Sequence, residues 1–195
     1  MILIAHRINT LKELRVLPNS TPIEFDIRDF DGCCIVEHDP FKSGILFELF
    51  LPYLKGRFLI VNIKSEGIEH NVLQLLKKYE IEDFFLLDCS MPMMYKLSQQ
   101  GETRLAIRYS EMESFDTVLK WSNKVQWVWV DCFTKYPLTS EISKYLHTKG
   151  FKLCLVSPEL QGRPEELVSE SFIEYAKSLN ADAICTKYHN FSIWS

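Results

Sequence analysis

Glu24 and Asp26 stand one residue apart in the apolar run Ile23-Glu24-Phe25-Asp26-Ile27. In an extended strand alternate side chains project to one face, so the two carboxylates would lie side by side. Facing inward, both stay ionised only if a cation lies between them. A hard divalent ion with oxygen ligands, Mg²⁺ or Ca²⁺, answers that need. The alternation equally allows both acids to face solvent with Phe25 buried. Two histidines flank the pair in sequence: His6, directly after the apolar run Ile2–Ala5, and His38 in Glu37-His38-Asp39-Pro40. Histidine exchanges its proton near neutral pH, so one imidazole can serve as base and the other as acid. Arg7 can hold phosphate oxygens with its planar fork. Two histidines, an arginine and a carboxylate pair with a metal form a plausible set for cleaving a phosphodiester.

Short β-branched runs must position these groups. Strands are expected near residues 2–5, 23–27, 58–63, 84–87, 104–107, 125–130, 151–156 and 181–185. Amphipathic helical patterns fill residues 45–54, 68–79, 92–99, 110–122, 138–149 and 164–180. Alternating strand and helix predicts parallel strands with right-handed crossovers, and about eight of them predict a compact (β/α)8 TIM-type barrel. An open doubly wound sheet is the alternative. The first crossover has space only for a stub of helix at Leu11–Leu14, and no final helix is expected after the last strand. Asp31-Gly32 marks a turn, and Cys33–Val36 a short strand that would fold His38 back over the end of the barrel. In barrels the reactive groups collect at the carboxyl ends of the strands. Polar residues recur there in this chain: Asn62 with Lys64, Asp88, Arg108, Asp131, Glu159 and Thr186.

The 195 residues carry a formal charge of -4, with 47% hydrophobic and 25% charged side chains. That balance fits one globular domain over 1–195 and argues against a nucleic-acid binder, which would cluster Lys and Arg. The six cysteines form no CxxC pair and sit mostly in apolar runs, as small buried hydrophobes do. The opening apolar stretch is too short for a signal peptide, and no run reaches the roughly 20 residues a membrane span needs. A reduced, cytoplasmic protein is expected, acting on a small-molecule phosphodiester.

The strings Ile4-Ala5-His6-Arg7, Glu24-Phe25-Asp26-Ile27-Arg28-Asp29-Phe30-Asp31-Gly32 and Val36-Glu37-His38-Asp39 resemble the glycerophosphodiester phosphodiesterase family. Its pattern reads A-H-R-G, then E-x-D with D-G a few residues on, then H-D. The likeness is strong over the first third of the chain. It belongs to the superfamily of phosphatidylinositol-specific phospholipases C, whose fold is a β/α barrel. The resemblance implies His6 and His38 as the acid–base pair, Arg7 and Lys64 as phosphate ligands, and Glu24 and Asp26 as metal ligands. It further implies attack on phosphorus by a neighbouring hydroxyl, a cyclic phosphate that water then opens, and a place in lipid metabolism. A phospholipase C-like activity and a phosphate-binding barrel without turnover are the competing readings.

The chain departs from the family at several points. The third strand of the family ends E-x-K, whereas here Asn62-Ile63-Lys64 substitutes an amide for a metal-binding carboxylate. Asn62 can ligate Mg²⁺ or Ca²⁺ through its carbonyl, with one less negative charge to hold the ion. Ile8 replaces the glycine after His-Arg, Thr186-Lys187 stands for the family's T-D, and the segment that commonly follows H-D is missing. A more open mouth and less negative surroundings are expected.

Overall fold

A computed structural model describes residues 1–195 as two compact units, Ala5–Gln99 and Gln100–Ser195, with Met1–Ile4 belonging to the latter. The chain opens on β1 (Ile2–Ala5). The first unit continues through α1 (Leu11–Val16), β2 (Ile23–Phe30), β3 (Cys33–Val36) and β4 (Ile45–Leu46). It then runs through α2 (Phe47–Phe50), β5 (Leu59–Ile63), α3 (Glu69–Lys78), β6 (Phe84–Leu87) and α4 (Met91–Gln99).

Short α1 is set by its ends. Thr10 and Glu13 form a reciprocal capping box at the amino terminus, and Pro18 lies just beyond the last turn. β2 is the hub of this unit. It pairs in parallel with Ala5 of β1 and with β5, and antiparallel with β3, while β5 continues in parallel to β6. Both faces of β2 are buried from Ile23 to Ile27: Phe25 packs against Phe47 and Phe50, with ring centroids 5.8 and 5.6 Å apart. Sequence alternation could not separate an inner from an outer face, because neither face meets water. The expected helix over 45–54 is instead the two-residue strand β4, one turn of α2 and a 3₁₀ turn at Leu51–Tyr53.

One glycine is required by close approach. A Cβ on Gly44 would lie 2.4 Å from the carbonyl oxygen of Val36, so the loop between β3 and β4 closes only over a bare Cα.

The second unit runs β7 (Ala106–Tyr109), α5 (Phe115–Leu119), β8 (Trp127–Val130), α6 (Ser140–Thr148), β9 (Lys152–Val156), α7 (Glu170–Ser178), β10 (Ala183–Thr186) and α8 (Phe191–Trp194). Its strands β7 to β10 pair in parallel in sequence order, and the Ile2 N–H donates to the Asp182 carbonyl at 2.7 Å. Val128, Leu153, Leu155 and Ile184 are fully buried. The final helix that the sequence reading left out is present as the single turn α8. Its formation ties the end of the chain down, with the Lys177 ammonium donating to the Ser195 carbonyl at 2.9 Å. The helix expected over 164–180 divides at Ser169, which caps α7, after a 3₁₀ stretch at Pro164–Val168. The alternation of strand and helix is as expected, and the fold is mixed α/β. β6 finds its ladder partner in β5, and β7 in β8. No helix is long and apolar enough to cross a membrane.

Candidate active site

The carboxyl ends of β1, β2 and β5 converge within the first unit. Glu24 and Asp26 project from β2 and are each 1% exposed, so the inward alternative of the two sequence readings is the observed one. β5 lies beside β2 with Asn62 opposite Asp26. From there the Asn62 Nδ2 donates to Glu24 Oε1 at 2.8 Å, while Asn62 Oδ1 is buried and accepts nothing. A buried carbonyl oxygen without a donor is costly and rare in a folded chain.

The other Glu24 oxygen accepts from the Arg7 backbone N–H at 2.7 Å, and His6 Nε2 stands 3.7 Å from it. Arg7 reaches this geometry with φ at 55°, a left-handed conformation unfavourable to a long side chain. Its guanidinium Nε is 3.7 Å from Asp26 Oδ2. Lys64, two residues beyond Asn62, places Nζ 3.6 Å from Asp26 Oδ1 and donates to Asp88 Oδ2 at 3.1 Å. Asp88, at the end of β6, is also left-handed, with φ at 63°. Strained backbone at strand ends clusters where chemistry is done.

Burial next to a second carboxylate has an electrostatic consequence. Desolvation first, and then the charge of Asp26, push the Glu24 carboxyl up to about 7. The hydrogen bonds from Asn62 and Arg7 and the charge of Lys64 pull the other way without overcoming burial.

Asn9 completes this network, and no sequence motif singled it out. Its side chain grips Asp26 twice: Nδ2 donates to Asp26 Oδ2 at 2.8 Å, and Oδ1 accepts the Asp26 N–H at 2.9 Å. The readable signal was the Thr10-Leu11-Lys12-Glu13 capping box, which fixes the start of α1 and so the position of Asn9 just before it.

His38 is held separately. The Glu37 N–H donates to the Asp26 carbonyl at 3.1 Å, which brings the chain past the end of β2. The His38 imidazole, however, bonds Asp39 through Nδ1 at 2.8 Å rather than any of the other candidates. Arg28 donates to the His38 carbonyl at 3.0 Å and fixes that backbone. Lys42 and then His38 hold the Asp39 carboxyl down to about 2. The structure thus brings His6, Arg7, Glu24, Asp26, Asn62 and Lys64 into one connected set, with His38 oriented by Asp39 beside it.

Only two carboxylates meet here, and no group of three or more His, Cys, Asp or Glu side chains gathers as a metal cage. The third oxygen near Glu24 is the orphaned Asn62 Oδ1. Two buried carboxylates, one held up to about 7, with an unsatisfied amide oxygen beside them, are a donor set that fits a hard cation.

The later strand-end residues have partners within the second unit. Asp131, buried, accepts from Trp129 Nε1 at 3.0 Å, Gln161 Nε2 at 2.6 Å and Arg108 Nη1 at 2.5 Å. Glu159 accepts from Thr186 Oγ1 at 2.6 Å, the Lys187 N–H at 3.1 Å and Asn190 Nδ2 at 3.2 Å. These bonds anchor the loops after β9 and β10.

No protein-family model matches the sequence, and no curated protein matches it at the sequence level. Solved structures do match. One is a protein of Agrobacterium tumefaciens assigned as a glycerophosphoryl diester phosphodiesterase. It superposes with a TM-score of 0.73 at 13% identity, over 100% of this chain and 97% of its own. A second, a glycerophosphodiester phosphodiesterase of the same organism, gives 0.69 at 13% identity over 98% and 97%. The chain has the fold of these proteins.

Proposed function

We propose that the chain is a metal-assisted hydrolase of glycerophosphodiester-type substrates, working in the cytoplasm on a closed (β/α)8 barrel. The observation that carries this reading is the burial of Glu24 and Asp26 side by side, with Arg7, Lys64 and His6 all within 4 Å of them. The shared fold with the two Agrobacterium proteins supports it.

Glu24, Asp26 and Asn62 would hold Mg²⁺ or Ca²⁺, which supplies Lewis-acid charge for the phosphate oxygens. Arg7 binds the phosphate by its planar fork and Lys64 as a point charge. Asp39 fixes the His38 ring by its bond to Nδ1, so that Nε2 is the nitrogen that exchanges a proton. His6 is steadied when protonated by Glu24, 3.7 Å from its Nε2. One histidine removes the proton of the hydroxyl beside the ester as that oxygen bonds phosphorus. The other donates a proton to the departing alcohol oxygen, and the phosphate is left cyclic. Water then opens the ring with the two roles exchanged. Holding the hydroxyl next to phosphorus makes the attack intramolecular.

The test is hydrolysis of several glycerophosphodiesters by dialysed protein, with and without added Mg²⁺ or Ca²⁺. Loss of either histidine, His6→Ala or His38→Ala, should reduce kcat by about 10² to 10⁴. Unchanged activity in both variants would overturn the assignment.

A further inference from the structure

A cavity of about 300 Å³ opens at the other end of the first unit's strands, lined by Arg15, Asn19, Tyr53, Lys55 and Arg57 with Leu14. No acidic residue lines it, which is notable in a chain whose formal charge is -4.

Arg57 is the residue that defines it. Its side chain lies two positions before β5 and is 4% exposed. Nη1 donates to the carbonyls of Pro18 at 2.7 Å and Thr21 at 2.9 Å, and Nε to that of Tyr53 at 3.4 Å. These bonds clamp the segment before β2 to the segment before β5. They take up both Nη1 hydrogens and the Nε hydrogen, and the two N–H groups of Nη2 are left without a protein partner. No carboxylate pairs with Arg57, and burial pushes its pKa down. A desolvated cation without a counter-charge is an uncommon arrangement, because carbonyl dipoles replace only part of its hydration.

The rim adds two more cations. Arg15 is exposed at the end of α1. Lys55 pairs at 3.0 Å with Glu80, but both side chains are more than two-thirds exposed. Such a pair is weak and leaves the lysine able to turn inward. Asn19 offers a neutral amide.

We propose that this cavity binds a phosphate-class oxyanion, free or carried on a phosphomonoester, with Arg57 as the buried anchor and Arg15 and Lys55 as the rim. The two remaining Nη2 donors can be accepted by the oxygens of a tetrahedral oxyanion, and the bound anion would supply the counter-charge that the fold omits. The site is separate from the candidate active site. Arg57 and Asn62 are five residues apart along β5 and its lead-in, roughly 16 Å at strand rise.

The measurement is calorimetric titration of the intact chain with inorganic phosphate and, separately, with glycerol phosphate, in chloride buffer of matched ionic strength. Arg7→Ala/Lys64→Ala removes the proposed phosphate ligands of the active site and should keep the binding. Arg15→Glu/Lys55→Glu changes only exposed side chains, leaves the Arg57 clamp intact, and should weaken binding by roughly tenfold or more. Equal affinity for the two ligands assigns the free anion, and tighter binding of glycerol phosphate assigns the ester. The proposal fails if neither ligand binds, if Arg15→Glu/Lys55→Glu binds like the wild type, or if Arg7→Ala/Lys64→Ala abolishes binding. None of these outcomes depends on catalytic turnover, so this inference and the proposed function stand or fall separately.

Discussion

Replacing Glu24 by glutamine should change how the stability of the metal-free protein depends on pH. The Glu24 carboxyl, ordinarily near 4.5, is pushed up to about 7 by burial and by Asp26. Below pH 4.5 it is protonated whether the chain is folded or not, and it costs nothing. Between 4.5 and 7 the folded state keeps a proton that the unfolded state has released, so stability falls as pH rises through this window. Above 7 the full penalty is present. At about 1.4 kcal/mol per pH unit, the interval corresponds to about 3 kcal/mol.

Glu24→Gln cannot ionise and so lacks this slope. Its amide can accept from only one of Asn62 Nδ2 and the Arg7 N–H, and it presents donors toward the other. That mismatch costs roughly 1–3 kcal/mol at every pH. The quantity to measure is therefore the difference between wild type and variant, from urea unfolding in the presence of chelator. Between about pH 5 and pH 8 that difference should move by about 3 kcal/mol in favour of the variant. A difference that is the same at both ends would refute the electrostatic account of the pair. Saturating Ca²⁺ should flatten the wild-type slope, since the ion takes the place of the proton.

Other outcomes follow from single contacts. Asn62→Asp, which restores a negative charge beside Glu24, should tighten Ca²⁺ binding by roughly tenfold while lowering the stability of the metal-free chain; calorimetry and urea unfolding would show both. Gly44→Ala places a Cβ 2.4 Å from the Val36 oxygen and should cost roughly 1–3 kcal/mol of stability, read from the urea midpoint. Phe41 is 95% exposed with φ at 63°, so Phe41→Asn should stabilise the chain by about 0.5–1 kcal/mol, because asparagine tolerates that conformation better. An unchanged midpoint in either loop variant would contradict the geometry from which it is drawn.

Much of the site was legible because it is local. His6-Arg7 follows β1, Glu24 and Asp26 alternate on β2, and Asn62 lies in β5 with Lys64 just after it, so strand phase alone put them at one end. The inward direction of Glu24 and Asp26 was not legible, since Phe25 is buried as well. Asn9 was invisible for another reason: its value lies in reaching Asp26, seventeen residues away. Helix lengths misled where side chains took up backbone groups. The helix expected over 110–122 is only Phe115–Leu119, because Ser110–Glu113 forms a turn and Glu111 instead caps the N–H of Thr134. The last turn, α8, carries too few residues to show a helical period.

The left-handed backbone at Arg7 sets two demands on one position that no single residue meets well. The chain path favours glycine or asparagine there, while the proposed phosphate binding calls for a guanidinium. On the proposed function, Arg7→Gly would trade phosphate binding for a relaxed backbone, so one position would set activity against stability.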